Sequence, residues 1–260
     1  MCTVILAFQQ HPQWEWIILS NRDEFYQRPS KAMHHWTTVN ETTPVEILSG
    51  LDLKAMGTWL AVSGQGRFAT LTNYRDFSIP HKGVQSRGFV PLQFLSETHL
   101  TAPMYLDTLK ATAHSYDPFN LIIGDRSGLY FFSHQLFYWE KLAAGVHGVS
   151  NAHLNTPWFK VEKGKTALKA VLEKSLSTAV FVEEAFKILS DETEAPQELL
   201  PSTGLDPEKE RLLSRMHINS DTYGTRFKTI ILKDYAGHFH IWEWSLTDNG
   251  QWEQRQFNYI

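Results

Sequence analysis

Residues 1–25, MCTVILAFQQHPQWEWIILSNRDEF, decide the fold. TVILAF (3–8) is rich in β-formers, QQHPQ turns the chain, and WEWIILS (14–20) is a second apolar run. Two such runs across a short polar turn predict an N-terminal antiparallel hairpin. The charged cluster SNRDEFYQRPS (20–30) then lies where the second strand ends, beside the start of the first. That places Cys2, the only cysteine of the chain, next to Asn21, Arg22, Asp23, Glu24 and Arg28. An isolated thiol at position 2 is either incidental, a small buried residue opening a strand, or a group that removal of Met1 would expose beside a free α-amine. An α-amine has a reference pKa near 7.7, so it can act as a base for its own thiol without a histidine.

Outward from the hairpin, VEILS, TWLAVSG and RFATLTN read as strands, the last two joined at GQG. PLQFLSE and APMYLDTLKATAH have helical periodicity, and FNLIIGD, GLYFFSH and FYWEKL form a meander. PWFKVEKGKTALKAVLEKSL follows, with Pro157 expected in its first helical turn, and FVEEAFKILSD is a second amphipathic helix. The polar stretch 191–209 reads as a surface loop. TRFKTIILKD, HFHIWEWSL and QWEQRQFNY close the chain as three strands. Strand runs interleaved with helical pairs predict an α+β fold of four layers, αββα, with two mostly antiparallel sheets inside. No repeat or linker divides residues 1–260, so one domain is expected.

The chain has 260 residues, 42% of them hydrophobic and 13% aromatic, enough for a large core. Its net charge is −4 and its basic residues form no runs, which argues against nucleic acid as a partner. No stretch reaches the roughly 20 apolar residues of a membrane span, and TVILAF has neither a charged leader nor a cleavage site. A single cysteine excludes an internal disulfide framework. The expectation is a cytoplasmic protein, and no pattern sets an oligomeric state.

Three further polar residues fall at strand ends. Asn73 ends RFATLTN, Asn151 follows GVHGVS, and Arg226 opens the strand in YGTRFKTII. Amides and a guanidinium converging on a thiolate are the parts of an oxyanion site, although each alone is an ordinary turn residue. Metal sites are weaker. His34 and His35 read as a loop pair without matching carboxylates or thiolates, and His238 with His240 reads as a polar pair on one strand face.

NRDE after an MCT strand, with TLTNYRD, GVSNAHLNTPWFK and YGTRFKTIIL further on, resembles the NRDE family along the whole chain. That family is also named for transport and Golgi organisation. It in turn is similar to N-terminal nucleophile (Ntn) hydrolases of the choloylglycine hydrolase and penicillin V acylase type, which share an αββα sandwich and a cysteine exposed by processing. The resemblance implies Cys2 as nucleophile, Asp23 holding its amine, Asn73 and Asn151 at the oxyanion, and Arg226 as the late arginine of the site. It leaves Asn21, Arg22, Glu24 and Arg28 as candidate substrate contacts. One departure stands out: the hydrolases read Arg-Asn-x-Asp, whereas this chain reads Ser20-Asn21-Arg22-Asp23. The arginine comes two places late, which on a strand keeps the original face.

Two functions follow as expectations. One is an N-terminal cysteine hydrolase of a non-peptide amide or thioester with an apolar acyl part, using no cofactor or metal. The other is a carrier on the same fold, since the resembled family is linked to haem trafficking and to lipid or acyl-CoA metabolism. Thiolate and imidazole are both haem ligands. A third option, an interaction protein of the secretory system, has the family name behind it and no residue pattern.

Overall fold

The computed structural model describes residues 2–38, 44–78 and 83–259. The first half of the chain carries β1 (Cys2–Phe8), β2 (Trp14–Phe25), β3 (Ser30–Thr38), β4 (Val45–Asp52), β5 (Leu60–Ser63) and β6 (Arg67–Asn73). Next come α1 (Phe89–Ser96), α2 (Ala102–Thr112), β7 (Phe119–Asp125), β8 (Gly128–Ser133), β9 (Tyr138–Lys141) and β10 (Gly145–Val149). The remainder holds α3 (Phe159–Leu172), α4 (Thr178–Leu189), α5 (Pro207–Leu213), β11 (Tyr223–Asp234), β12 (Phe239–Leu246) and β13 (Trp252–Tyr259).

Two antiparallel sheets result. One has six strands in the order β10-β1-β2-β11-β12-β13, and the other has seven in the order β3-β4-β5-β6-β7-β8-β9. Strand alternation sorts the side chains into three cores. Val4, Leu6 and Phe8 of β1 and Trp16 and Ile18 of β2 face Leu60, Val62, Phe68, Ile122 and Phe131 of the other sheet. The intervening residues Ile5, Ala7, Ile17 and Leu19 face Leu168 of α3 and Val182, Ala185 and Leu189 of α4. Ile47, Ala69 and Leu121 on the second sheet meet Val90 and Phe94 of α1 and Leu106 of α2. The layers are therefore α, β, β, α, as the element order predicts.

Several local readings are corrected. β3 is a strand where the sequence pattern puts His34 and His35 in a loop. Its alternation is interrupted by a register shift between Lys31 and His34, so the period-2 signal is broken. The short strand β10 lies within the GVHGVS run that Asn151 follows. Pro157 lies outside α3, because Trp158 is the residue that caps the helix. The stretch 191–209 is not loop throughout: Asp206 accepts a hydrogen bond from the Lys209 amide at 2.9 Å and opens α5. That Asp-Pro start is a helix signal in the sequence. β11 begins at Tyr223, so Arg226 lies inside the strand. His238 precedes β12 and pairs with Asp234 at 3.1 Å, while His240 meets Asn258 at 3.0 Å. No helix among the described residues is long and apolar enough to cross a membrane.

Candidate active site

The hairpin register puts Cys2 directly opposite Arg22, so both side chains lie on the face toward the other sheet. They line a cavity of about 120 Å³ together with Glu24, Arg28, Asp52, Trp59 and Asn73. Close backbone approach forms part of its wall. A Cβ on Gly57 would come within 2.7 Å of the Gly88 backbone, and the Thr58 amide donates to the Gly88 carbonyl at 3.0 Å.

Arg22 is built in. Its guanidinium donates to Asp52 Oδ2 at 3.0 Å and Ser30 Oγ at 3.1 Å, and stacks 4.2 Å from the Trp59 ring. Arg28 shares the same Asp52 oxygen at 2.6 Å, and Glu24 stands 3.7 Å from both arginines. Burial works against an ionised Asp52, yet hydrogen bonds from Arg28 and the Ala55 amide hold its carboxyl below the usual range. The result is a fixed network of charges beneath the thiol.

Cys2 itself is 7% exposed, and burial pushes its thiol up from the ordinary value. Asp23 pushes in the same direction while Arg22 opposes it. The resting group at neutral pH is thus a protonated thiol, which needs a base before it can attack. Asp23 is buried on the helix side of β2, where Thr225 Oγ1 donates to its Oδ1 at 2.7 Å. Burial raises its carboxyl too, against the opposing charge of Lys160. Lys160, buried at the start of α3, is pulled down to about 8 by burial, with Asp23 opposing. Met1, whose removal would free the α-amine, lies outside the described residues.

The other expected residues divide. Asn73 lines the cavity. Asn151 does not, but its Nδ2 donates to the Asn73 carbonyl at 2.9 Å, and Ser150 ties that corner to the Cys2 carbonyl at 3.3 Å. Asn21 points the other way: Nδ2 donates to the carbonyls of Leu189 at 2.8 Å and Met216 at 2.9 Å. Neighbours on a strand face opposite sides, so Asn21 ties down the end of α4 and makes no contact with the cavity. Arg226 is also displaced. Thr225 pairs with Asp23 and Phe227 with Arg22, leaving Arg226 as the extra residue of a bulge. Its guanidinium donates to the Arg28 carbonyl and lines a different cavity.

Sequence reading misses Asp52, Trp59, Arg87 and Lys160. Asp52 ends an apolar strand just as Asn73 does, and that signal is there to be used. A buried lysine on a helix has no such mark. Arg87, Glu24 and Asn73 form a wall shared with an outer groove of about 520 Å³. Phe25, Phe77, Leu205, Leu212 and Tyr223 line that groove, and Phe25 and Phe77 are exposed.

The position of Arg22 gives a direct prediction. Arg22→Met should slow alkylation of Cys2 by iodoacetamide at fixed pH by roughly an order of magnitude, because the cation favouring thiolate is gone. Asn21→Ala should leave that rate alone and cost about 2 kcal/mol of stability by stranding two buried carbonyls. Equal labelling of the parent and Arg22→Met proteins would remove Arg22 from the field acting on the thiol.

The two stacked antiparallel sheets and the flanking helices, with a cysteine heading β1 inside the six-stranded sheet, define the Ntn-hydrolase fold. A solved mutant of the conjugated bile acid hydrolase from Clostridium perfringens superposes with a TM-score of 0.50 at 8% identity, covering 100% of this chain and 97% of that one. By sequence the chain belongs to the Transport and Golgi organisation 2 family, whose pattern it matches over residues 1–248. It is 33% identical over 273 residues to the Transport and Golgi organization protein 2 homolog of Bos taurus, covering 97% of this chain and 96% of that protein. The Homo sapiens homolog is 32% identical over 281 residues, covering 100% and 99%.

Proposed function

We propose that this protein is an N-terminal cysteine hydrolase that cleaves a non-peptide amide or thioester carrying an apolar acyl group. The carrying observation is the two-part site: a thiol in a small charged cavity that shares a wall with an apolar groove. An acyl chain fits the groove, and the scissile carbonyl then lies at the shared wall beside Cys2.

With Met1 removed, the α-amine of Cys2 takes the thiol proton as Sγ adds to the carbonyl carbon. Asn73 donates to the developing oxyanion, and Asn151 holds the Asn73 backbone in place. The amine passes its proton to the leaving nitrogen or sulfur, the C–N or C–S bond breaks, and a thioester to Cys2 remains. Water, deprotonated by the same amine, cleaves that thioester and restores the thiol. Asp23, buried and held by Thr225, orients the amine.

The test is intact mass after mixing with a panel of acyl N-acetylcysteamine thioesters and acyl p-nitroanilides of increasing chain length. The expected result is an acyl adduct on chains lacking Met1. If chains retain Met1 and no member of the panel acylates them, the hydrolase reading fails.

The groove itself favours a second reading, a carrier that holds an acyl-CoA or lipid chain without turnover. Haem fits these walls less well, since among the described residues no histidine or methionine lines the groove and the one thiol is buried in the inner cavity. Stoichiometric retention of an acyl ligand with no cleavage would select the carrier.

A further inference from the structure

A cavity of about 580 Å³ opens on the other side of Arg226, walled by Tyr26, His217, Asn219, Asp248 and Trp252. Its construction is unlike that of a solvent dimple. Arg226 is only 6% exposed, yet its guanidinium has a single ion pair among the described residues, with Asp248 at 4.0 Å. The Asp248 side chain is fully exposed, and a carboxylate so placed contributes little. A buried guanidinium, held from behind by the Arg28 carbonyl, is thus presented to a cavity without a close carboxylate partner.

Two aromatic rings, His217 and Trp252, with their planes at 55°, form another part of the wall. The rings of His217 and Trp252 lie 5.9 Å apart, and His217 Nδ1 is buried with no hydrogen-bond partner among the described residues. Burial and the charges of Lys228 and Arg215 hold His217 down at about 4, so it is a neutral ring at physiological pH. Lys228 Nζ lies 4.6 Å from the Trp252 ring centroid, and Glu192 stands 3.7 Å from His217 Nε2. A single guanidinium fork matches a planar carboxylate, whereas a phosphate dianion calls for more than one cation at the cavity wall.

We propose that this cavity binds a small flat carboxylate, its anionic group on Arg226 and its ring against Trp252 and His217. This site is separate from the thiol cavity and does not rest on the hydrolase reading.

Calorimetric titration with benzoate tests it, with acetate as the ringless control. Benzoate should bind with a Kd of about 1 mM, and acetate at least about tenfold more weakly. Asp248→Asn removes the competing carboxylate from an exposed position and should tighten benzoate binding about threefold. Trp252→Ala should weaken it about tenfold. Phe77→Ala, in the acyl groove, should leave it unchanged. No saturable benzoate binding, acetate binding as tightly, or a Kd that responds to Phe77→Ala but not to Asp248→Asn would each overturn the proposal.

Discussion

Cys2→Ser is expected to lower kcat/KM by about a thousandfold or more on any thioester or anilide that acylates the parent protein. The thiol is already held protonated by burial, so the whole advantage of cysteine lies in the ease with which a nearby base makes the thiolate. A serine hydroxyl in the same position has no comparable anion to offer. The stability of the variant should change little, because Cys2 heads β1 and the interior packing begins with Val4. Turnover and melting temperature measured on one preparation therefore separate chemistry from folding. An unreduced rate in Cys2→Ser would end the nucleophile assignment, whereas a lost rate with a matching loss of fold would be traced by comparison with Cys2→Ala.

Much of this geometry is legible in residues 1–25 alone. A strand pair with its turn at QQHPQ fixes the register, and register alone places Arg22 opposite Cys2. The same alternation exposes the error over Asn21. Its neighbours 20 and 22 face the other sheet, so Asn21 has to face the helices, yet grouping the charged cluster as one loop hides that parity. Arg226 is misplaced for a different reason. A bulge adds one residue to one strand, and no residue type at 225–227 announces it. The loss of β3 as an expected strand has the same origin, an irregular register that breaks the period-2 pattern.

The helices are legible where their apolar faces are long, as in α3 and α4, and not where a short helix is tied in through residues distant in sequence. α5 has seven residues, too few for a periodicity to be visible. What places it is Glu210, whose partner Arg75 lies 135 residues earlier in the chain. Lys160 is hidden likewise. It matters through Asp23, a partner distant in sequence, and pair contacts of that kind leave no local pattern.

Glu210→Ala is expected to cost about 3–5 kcal/mol, the usual penalty for removing one partner of a buried ion pair. Glu210 Oε2 meets Arg75 Nη2 at 2.9 Å, and both side chains are 3% exposed. Its other oxygen accepts from the Thr203 amide at 3.0 Å and the Thr203 hydroxyl at 2.5 Å. Arg75 in turn lies 4.7 Å from the Trp158 ring, and its amide donates to the Asn151 carbonyl at 2.7 Å. The pair thus joins three things: the segment before α5, the start of α3, and the corner beside Asn73. A fall in melting temperature of about 10 °C should accompany the loss for a chain of this size. Leu212 and Leu213 of α5 line the outer apolar groove, so retention of an acyl probe there should fall together with stability. Glu210→Gln keeps an acceptor for Thr203 and should lose distinctly less. A drop below about 1 kcal/mol for Glu210→Ala, the range of an exposed pair, would show that this contact does not hold α5 in place. The groove would then owe its shape to the apolar packing of Leu213 alone.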